Sequence, residues 1–244
     1  MELGYQGARR QRLPLDNEII GFGVYTPREA ARLIGSTPQR VLRWTRGSGP
    51  SSPLWTARYQ FVEDSTEISF VDLVELRVVE ALKAVGIPIQ AIRFAISVAQ
   101  QKYGIERPLS SQGFKTDGGE ILMEAVEGDG DFVSLSRKRP GQKVFRDIVF
   151  QSLKDLEYEG DFVARWRPHL HSKVVIDPAR AFGDPLLDKY GISTSILFNE
   201  YKSFNDIEYL SKIYEIPKKE ITAAIRFENA LEEQAQVKDG QGII

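Results

Sequence analysis

The stretch TPREAARLIGSTPQRVLRWTRG, residues 26–47, carries two helix starts and two helix stops in immediate succession. Thr26 stands as an N-cap, Pro27 takes the first helical position, and Glu29 sits at capping-box spacing. Ala30, Ala31, Leu33 and Ile34 supply an apolar stripe, and Gly35 offers the left-handed residue that ends a helix most easily. Ser36 or Thr37 before Pro38 starts a second helix, in which Val41, Leu42 and Trp44 pack while Gln39, Arg40, Arg43 and Arg46 remain polar. Two short helices across a tight glycine turn form the unit that presents a recognition helix to the DNA major groove. The pattern also fits a helical hairpin inside an unrelated core, so charge has to decide between them.

The charge is lopsided. Residues 1–60 hold nine basic residues against four acids, a net of +5; the remaining 184 hold 23 against 30, a net of −7. A whole-chain charge of −2 therefore hides a basic head on an acidic body. Phosphate neutralisation supplies most non-specific DNA affinity, and a basic head serves it. All nine basic residues of the head are Arg, the side chain that forks onto phosphate or guanine. The reading assigns DNA contact to Arg28, Thr37, Gln39, Arg40, Arg43, Arg46 and Arg58, with Arg40, Arg43 and Gln39 toward base edges and Arg46 on phosphate. A single two-helix reader covers few base pairs, so a homodimer or higher even oligomer is expected, paired through the apolar helix Phe70–Val85 and its neighbour.

Composition narrows the rest. The 244 residues are 42% hydrophobic, enough for real cores in one to three small domains. No run approaches the roughly 18 apolar residues of a membrane span, and Arg9, Arg10 and Arg12 precede no signal-type apolar core. Zero cysteine excludes disulfides, thiol catalysis and Cys-based zinc sites, and fits the cytoplasm.

The expected architecture is mixed and mainly α: an N-terminal winged helix-turn-helix, a small α+β middle region, and a C-terminal helix-turn-helix-like domain. Residues 1–19 read as a flexible arm or expression remnant. Residues 20–104 read as the DNA-binding domain, with Trp55, Tyr59 and Phe61 forming an irregular hairpin or wing. Ser69 with Asp72 starts one further helix, ended by Gly86, and Pro88 to Gly104 spans another. In the middle domain, 108–172, the alternation of Phe114 to Val126 and Phe132 to Phe145 around Gly-rich turns predicts strands. Lys143 to Tyr158 reads as helix, and Phe162 to Arg167 and Lys173 to Ile176 as short strands. The C-terminal domain, 173–232, closes with a helix capped by Asn205, then Ile216-Pro217, then a helix with Ile221, Ala224, Ile225 and Leu231 on its apolar face; 233–244 reads as a flexible tail. From Glu200 to Glu228 six acids face five bases, which favours protein contact over DNA contact.

Catalytic signatures are absent. His169 and His171 share one strand face at metal-ligand spacing, but no cysteine exists and no acid lies within five positions, so a solvated loop pair is the better reading. Asp129 and Asp131 resemble a fragment of a calcium loop without its remaining ligands. Neither a nucleophile elbow, a P-loop nor a dinucleotide fingerprint occurs. Neither enzymatic activity, a metal nor a cofactor is expected.

Glu29, Ala31, Leu33, Gly35, Pro38, Val41, Arg43, Trp44 and Gly47 resemble the excisionase and MerR-type winged helix-turn-helix class. Ile176-Asp177-Pro178, Gly183, Pro185 and Gly191-Ile192, with the closing helix pair, are similar to the family called domain of unknown function 433. The chain departs from that family at Phe182, where glycine is common, and at Leu187-Asp188-Lys189. From about residue 22 to 230 the order of elements resembles the larger VapB-type antitoxins of bacterial toxin–antitoxin pairs. That resemblance implies a cytoplasmic antitoxin that neutralises a PIN-like ribonuclease of the VapC type and represses its own operon through operator DNA. It places the toxin surface in the C-terminal region, where Lys202, Lys218, Lys219 or Arg226 would mask the toxin's carboxylates, or the region would occlude them sterically. Truncation after Pro168 should then spare operator binding. The alternative is a ligand-responsive, MerR-like regulator without a toxin, whose middle region encloses a pocket lined by Trp166, Phe150 or Phe162.

Overall fold

The structure, a computed structural model, describes residues 21–62, 65–104, 106–128, 142–168, 170–171 and 173–239. The first two helices form as their caps dictate. In α1 (Pro27–Ile34) the Thr26 hydroxyl accepts from the Glu29 amide while Glu29 reaches back to the Thr26 amide, and Gly35 closes the helix at φ 62°. Helix α2 (Pro38–Arg46) is capped by Thr37 rather than Ser36. Val41, Trp44 and Thr45 bury one side of it.

Helix α3 (Phe70–Ala84) is the central strut. Ser69 and Asp72 close a capping box at its start. Its Leu73, Val74, Leu76, Val78, Val79 and Leu82 are all fully enclosed, whereas Arg77, Ala81 and Ala84 line a side left more open. The sequence expects this helix to pair two copies; its enclosed faces are instead taken up within the protomer by α1, α4 (Ile89–Tyr103), the 3-10 turn Pro108–Ser110 and α6 (Gln142–Leu153).

The middle region differs from the strands expected there. Residues Gln112–Gly128 form one helix, α5, packed against α4 and α6. Asp117-Gly118-Gly119 reads as a turn, but the glycines serve helix packing. A Cβ at Gly119 would stand 2.8 Å from the Arg146 backbone, and one at Gly118 2.9 Å from the Phe114 ring. The bare Gly119 lets α5 and α6 approach closely, while Gly118 leaves room for the Phe114 ring one turn back on α5, and these requirements override glycine's poor helix propensity. The second expected strand falls mostly on 129–141, outside the described residues, as do Asp129 and Asp131. Helix α6 stops at Leu153, before the Tyr158 expected as its end, because Leu156–Glu159 is already β1.

A five-stranded antiparallel meander follows: β1, β2 (Phe162–Trp166), β3 (Val174–Ile176), β4 (Pro185–Leu187) and β5 (Ile192–Ser193), hydrogen-bonded in chain order. Trp166 pairs with Ile176, so one sheet joins residues on both sides of position 172. Every residue of β3 and β4 is buried, which leaves continuous apolar runs in place of alternation. Between them Phe182 adopts φ 55°, a left-handed conformation that explains why glycine suits this position. Helices α7 (Thr194–Phe204), α8 (Ile207–Tyr214) and α9 (Lys218–Asp239) complete the chain. Asn205 ends α7 at φ 52°, and Asp206, rather than Asn205, caps α8. Helix α9 continues past 232 to Asp239, where the sequence expects a flexible tail.

The wing is not built from strands among the described residues. Residues 47–69 hold one bridge, Ser48 with Ser51, and a second ties Ile68 to Tyr25. The segment packs through Leu54, Trp55, Ala57 and Tyr59 instead, all buried, whereas Phe61 is exposed.

Candidate functional site

The basic face of α2 is narrower than its arginine count implies. Gln39 and Arg43, four residues apart, lie exposed on one side of the helix. Arg28 is exposed on α1, and neither Arg28 nor Arg43 joins an ion pair among the described residues. Arg40 is exposed but pairs with Glu80 at 3.0 Å, beside the 2.9 Å bond from Ser36 to the same carboxylate. Arg46 folds inward to donate 2.8 Å to the Ser65 carbonyl, and burial lowers its pKa from the usual arginine value. Arg58 lies 3.4 Å over the Phe22 ring while its backbone amide donates to Asp72 at 3.3 Å. Thr37 acts as the cap, accepting from the Arg40 amide at 3.3 Å. The structure thus brings Gln39 and Arg43 to one open face, turns Arg46 to backbone carbonyls, and stacks the exposed Arg58 on Phe22.

At the other end of the chain, Lys202 pairs with Glu232 at 2.6 Å and Lys218 with Glu208 at 3.2 Å. Lys219 and Arg226 come together on one face of α9 with Ala223 between them. With Leu170, His171 and Lys173 they line a cleft of about 370 Å³. Lys173 is drawn to Glu220 at 2.7 Å. His171 sets its ring edge-on to Phe227 with centroids 5.3 Å apart, and burial lowers its pKa below the ordinary histidine value. It is a half-buried loop residue whose ring packs on Phe227 on one side and faces the cleft on the other; His169 lies outside the described residues.

The two ends meet. The Val24 amide donates 2.8 Å to the Phe182 carbonyl, and the Tyr25 hydroxyl donates 2.9 Å to the Gly183 carbonyl. Arg32 of α1 pairs with Glu228 of α9, whose other oxygen accepts from the Thr194 hydroxyl. The head and the C-terminal helices therefore share one interface, although the sequence sets them far apart. Truncation after Pro168 would remove Gly183, Thr194 and Glu228 together and strip α1 of its support, so single substitutions are the sounder probe.

Two clusters were missed from the sequence, and each carried a signal. Glu228 falls in phase with the apolar positions 221, 224, 225 and 231 of α9, and Asp72 and Glu75 fall among those of α3. A carboxylate at a core position requires a buried partner. The residues a ligand-responsive reading needs do not converge: Trp166 donates 2.9 Å to Asp155 beneath Arg77, Phe150 is exposed, and Phe162 lines a separate cleft of about 490 Å³ with Phe22 and Phe61.

No protein-family model matches the chain. Over 188 residues it is 29% identical to a Mycobacterium tuberculosis protein named "Putative antitoxin VapB45", covering 69% of this chain and 78% of that one. Among solved structures it matches the crystal structure of Rv2018 from Mycobacterium tuberculosis with a TM-score of 0.65 at 23% identity, covering 82% of this chain and 96% of that one. The chain thus shares the fold of Rv2018 and is similar, over most of its length, to a protein that bears the name of an antitoxin.

Proposed function

We propose that this protein is the antitoxin of a toxin–antitoxin pair. It neutralises a partner ribonuclease of the PIN-like type and represses its own operon in the cytoplasm, with no catalysis of its own. The observation that carries the reading is the similarity to an antitoxin-named protein across 188 residues, which covers 69% of this chain. Growth rescue and co-purification, when the chain is co-expressed with the product of the neighbouring gene, test it. Failure of both would sink it.

Operator contact in this reading falls to the open face of α2. Arg43 forks onto a base or phosphate, Gln39 reads beside it, and Arg28 reaches the backbone from α1. Replacing Arg43 by Ala should weaken operator binding by about 1–3 kcal/mol if it reads a base. If it contacts only phosphate, the change should mainly reduce the salt slope. Arg46→Ala should affect the fold more than the slope. Binding isotherms at several salt concentrations separate these outcomes, and unchanged binding by the Arg43→Ala/Gln39→Ala protein would remove α2 as the reader.

Toxin contact falls to the cationic cleft of α9. Lys219 and Arg226 point two charges free of internal ion pairs, among the described residues, into one space, and clustered carboxylates are the natural complement. Charge reversal at both, Lys219→Glu with Arg226→Glu, should abolish co-purification with the toxin. The same reversal at Lys202 and Lys218 should first break internal pairs and show as lost stability. Retained toxin binding by the first variant would move the contact elsewhere.

A further inference from the structure

The outer side of the α7–α8 hairpin is apolar and open. Phe204 is 57% exposed, Tyr209 40% and Ile213 55%. The Phe204 and Tyr209 rings lie 5.1 Å apart, and Ile213 stands one helical turn beyond Tyr209. Leu210 is the single buried side chain of α8, so the helix is anchored by one apolar side while it displays another. Contiguous exposed apolar groups rimmed by charge mark contact surfaces.

We propose that this face joins two copies of the chain, with α8 packed antiparallel on α8 of a second copy and Tyr209 of each against Ile213 of the other. A twofold contact requires a patch complementary to itself. The flanks of α8 meet that requirement. Glu208 stands 3.5 Å from Lys212 and 3.2 Å from Lys218, all three exposed. Antiparallel pairing brings the acid of one copy beside the lysines of the other, so opposite charges surround an apolar centre. The helix the sequence favours for this role, α3, already encloses Leu73, Val74, Leu76, Val78, Val79 and Leu82 fully within the protomer. The contact serves the DNA reading above, because one short reader needs a second half-site for specificity, but its geometry stands apart from that reading.

Light scattering on the full chain at micromolar concentration tests it. The unmodified protein should run as a dimer, and Tyr209→Ser with Ile213→Glu as a folded monomer with an unchanged circular dichroism spectrum. The natural chain has no cysteine, which makes a second measurement independent of that variant's folding. With a short bis-maleimide, Ile213→Cys should crosslink into a dimer several-fold more than Phe150→Cys, an equally exposed position on α6. A monomeric unmodified protein, a dimer that survives the double substitution, or equal crosslinking at both cysteines would each overturn the proposal. Arg43→Ala should stay dimeric while binding operator more weakly. A monomer that still binds operator would therefore sink the contact and leave the reader standing.

Discussion

Replacing Arg107 by Met should destabilise the protein by about 3–5 kcal/mol at neutral pH, lowering its thermal midpoint by roughly 10 °C. Arg107 is the cation of a buried cluster at the start of α3. Its Nη1 lies 2.6 Å from Asp72 and its Nε 2.8 Å from Glu75, and both carboxylates are essentially free of solvent. Trp55 donates 2.9 Å to Asp72 and turns its ring toward the guanidinium at 4.8 Å, while the Leu109 amide donates 3.1 Å to Glu75. One arginine thus binds the 54–59 segment, α3 and the 107–110 turn together. Burial opposes the charge of all three groups. It nevertheless leaves Asp72 below its ordinary value, because Arg107 and the Ser69 hydrogen bonds outweigh it, and Arg107 above its own, because Glu75 and Asp72 do. For Glu75 burial prevails and the pKa rises.

Removing the cation removes what holds Asp72 down and adds to what holds Glu75 up. A carboxylate whose folded pKa is raised favours the fold at low pH and loses that contribution as pH rises through the folded value. The Arg107→Met deficit should therefore shrink as pH falls from 7 toward 5. In the unmodified protein Asp72 works the other way: its contribution is present above the ordinary aspartate value and is lost as pH falls through its lower folded one. Denaturant melts of both proteins between pH 4 and 8 measure this. A deficit independent of pH would mean that Arg107 acts through packing against Trp55 alone.

Arg32→Met should cost a similar amount, about 3–5 kcal/mol, by stranding Glu228, which is 1% exposed. Glu228→Gln in the same protein should recover much of the loss, since an amide in place of an unpaired carboxylate leaves no buried charge. A double-mutant cycle then reports a coupling well beyond the few tenths of a kcal/mol of independent sites. The consequence reaches function, because Arg32 stands on α1 and Glu228 on α9: loosening their pair should weaken operator binding and toxin binding together, although neither residue touches either partner in the reading above. Additive single-substitution losses would show that the two ends of the chain are energetically independent despite their contact.

How much of this was legible depended on range. Thr26, Glu29 and Gly35 set α1 through bonds spanning three or four residues, so local spacing was a sufficient guide. The same holds for Ser69 with Asp72 and for Gly104. The glycine pair at 118–119 misled because local grammar reads two glycines as a turn, whereas Gly119 admits the Arg146 backbone of another helix and Gly118 makes room for the Phe114 ring. Asn205 misled by one position, since Asn favours both an N-cap and a left-handed C-cap, and the incoming helix α7 took it for the second.

The candidate surfaces divide in the same way. Sequence alone established that a helix pair begins at Thr26, that its second member carries Gln39, Arg40, Arg43 and Arg46, and that the head is basic and the body acidic; these follow from residue type and near-neighbour spacing. The tertiary structure decided which charges are free. Arg40 meets Glu80, Arg46 turns to Ser65, Lys202 and Lys218 find acids, and Arg43, Lys219 and Arg226 are left facing outward. It also decided that the two ends of the chain share an interface, through a salt bridge between residues 196 positions apart. A charge declares its sign in the sequence, but whether it is neutralised depends on what the fold brings within about 4 Å of it, and no spacing rule reaches across 196 residues.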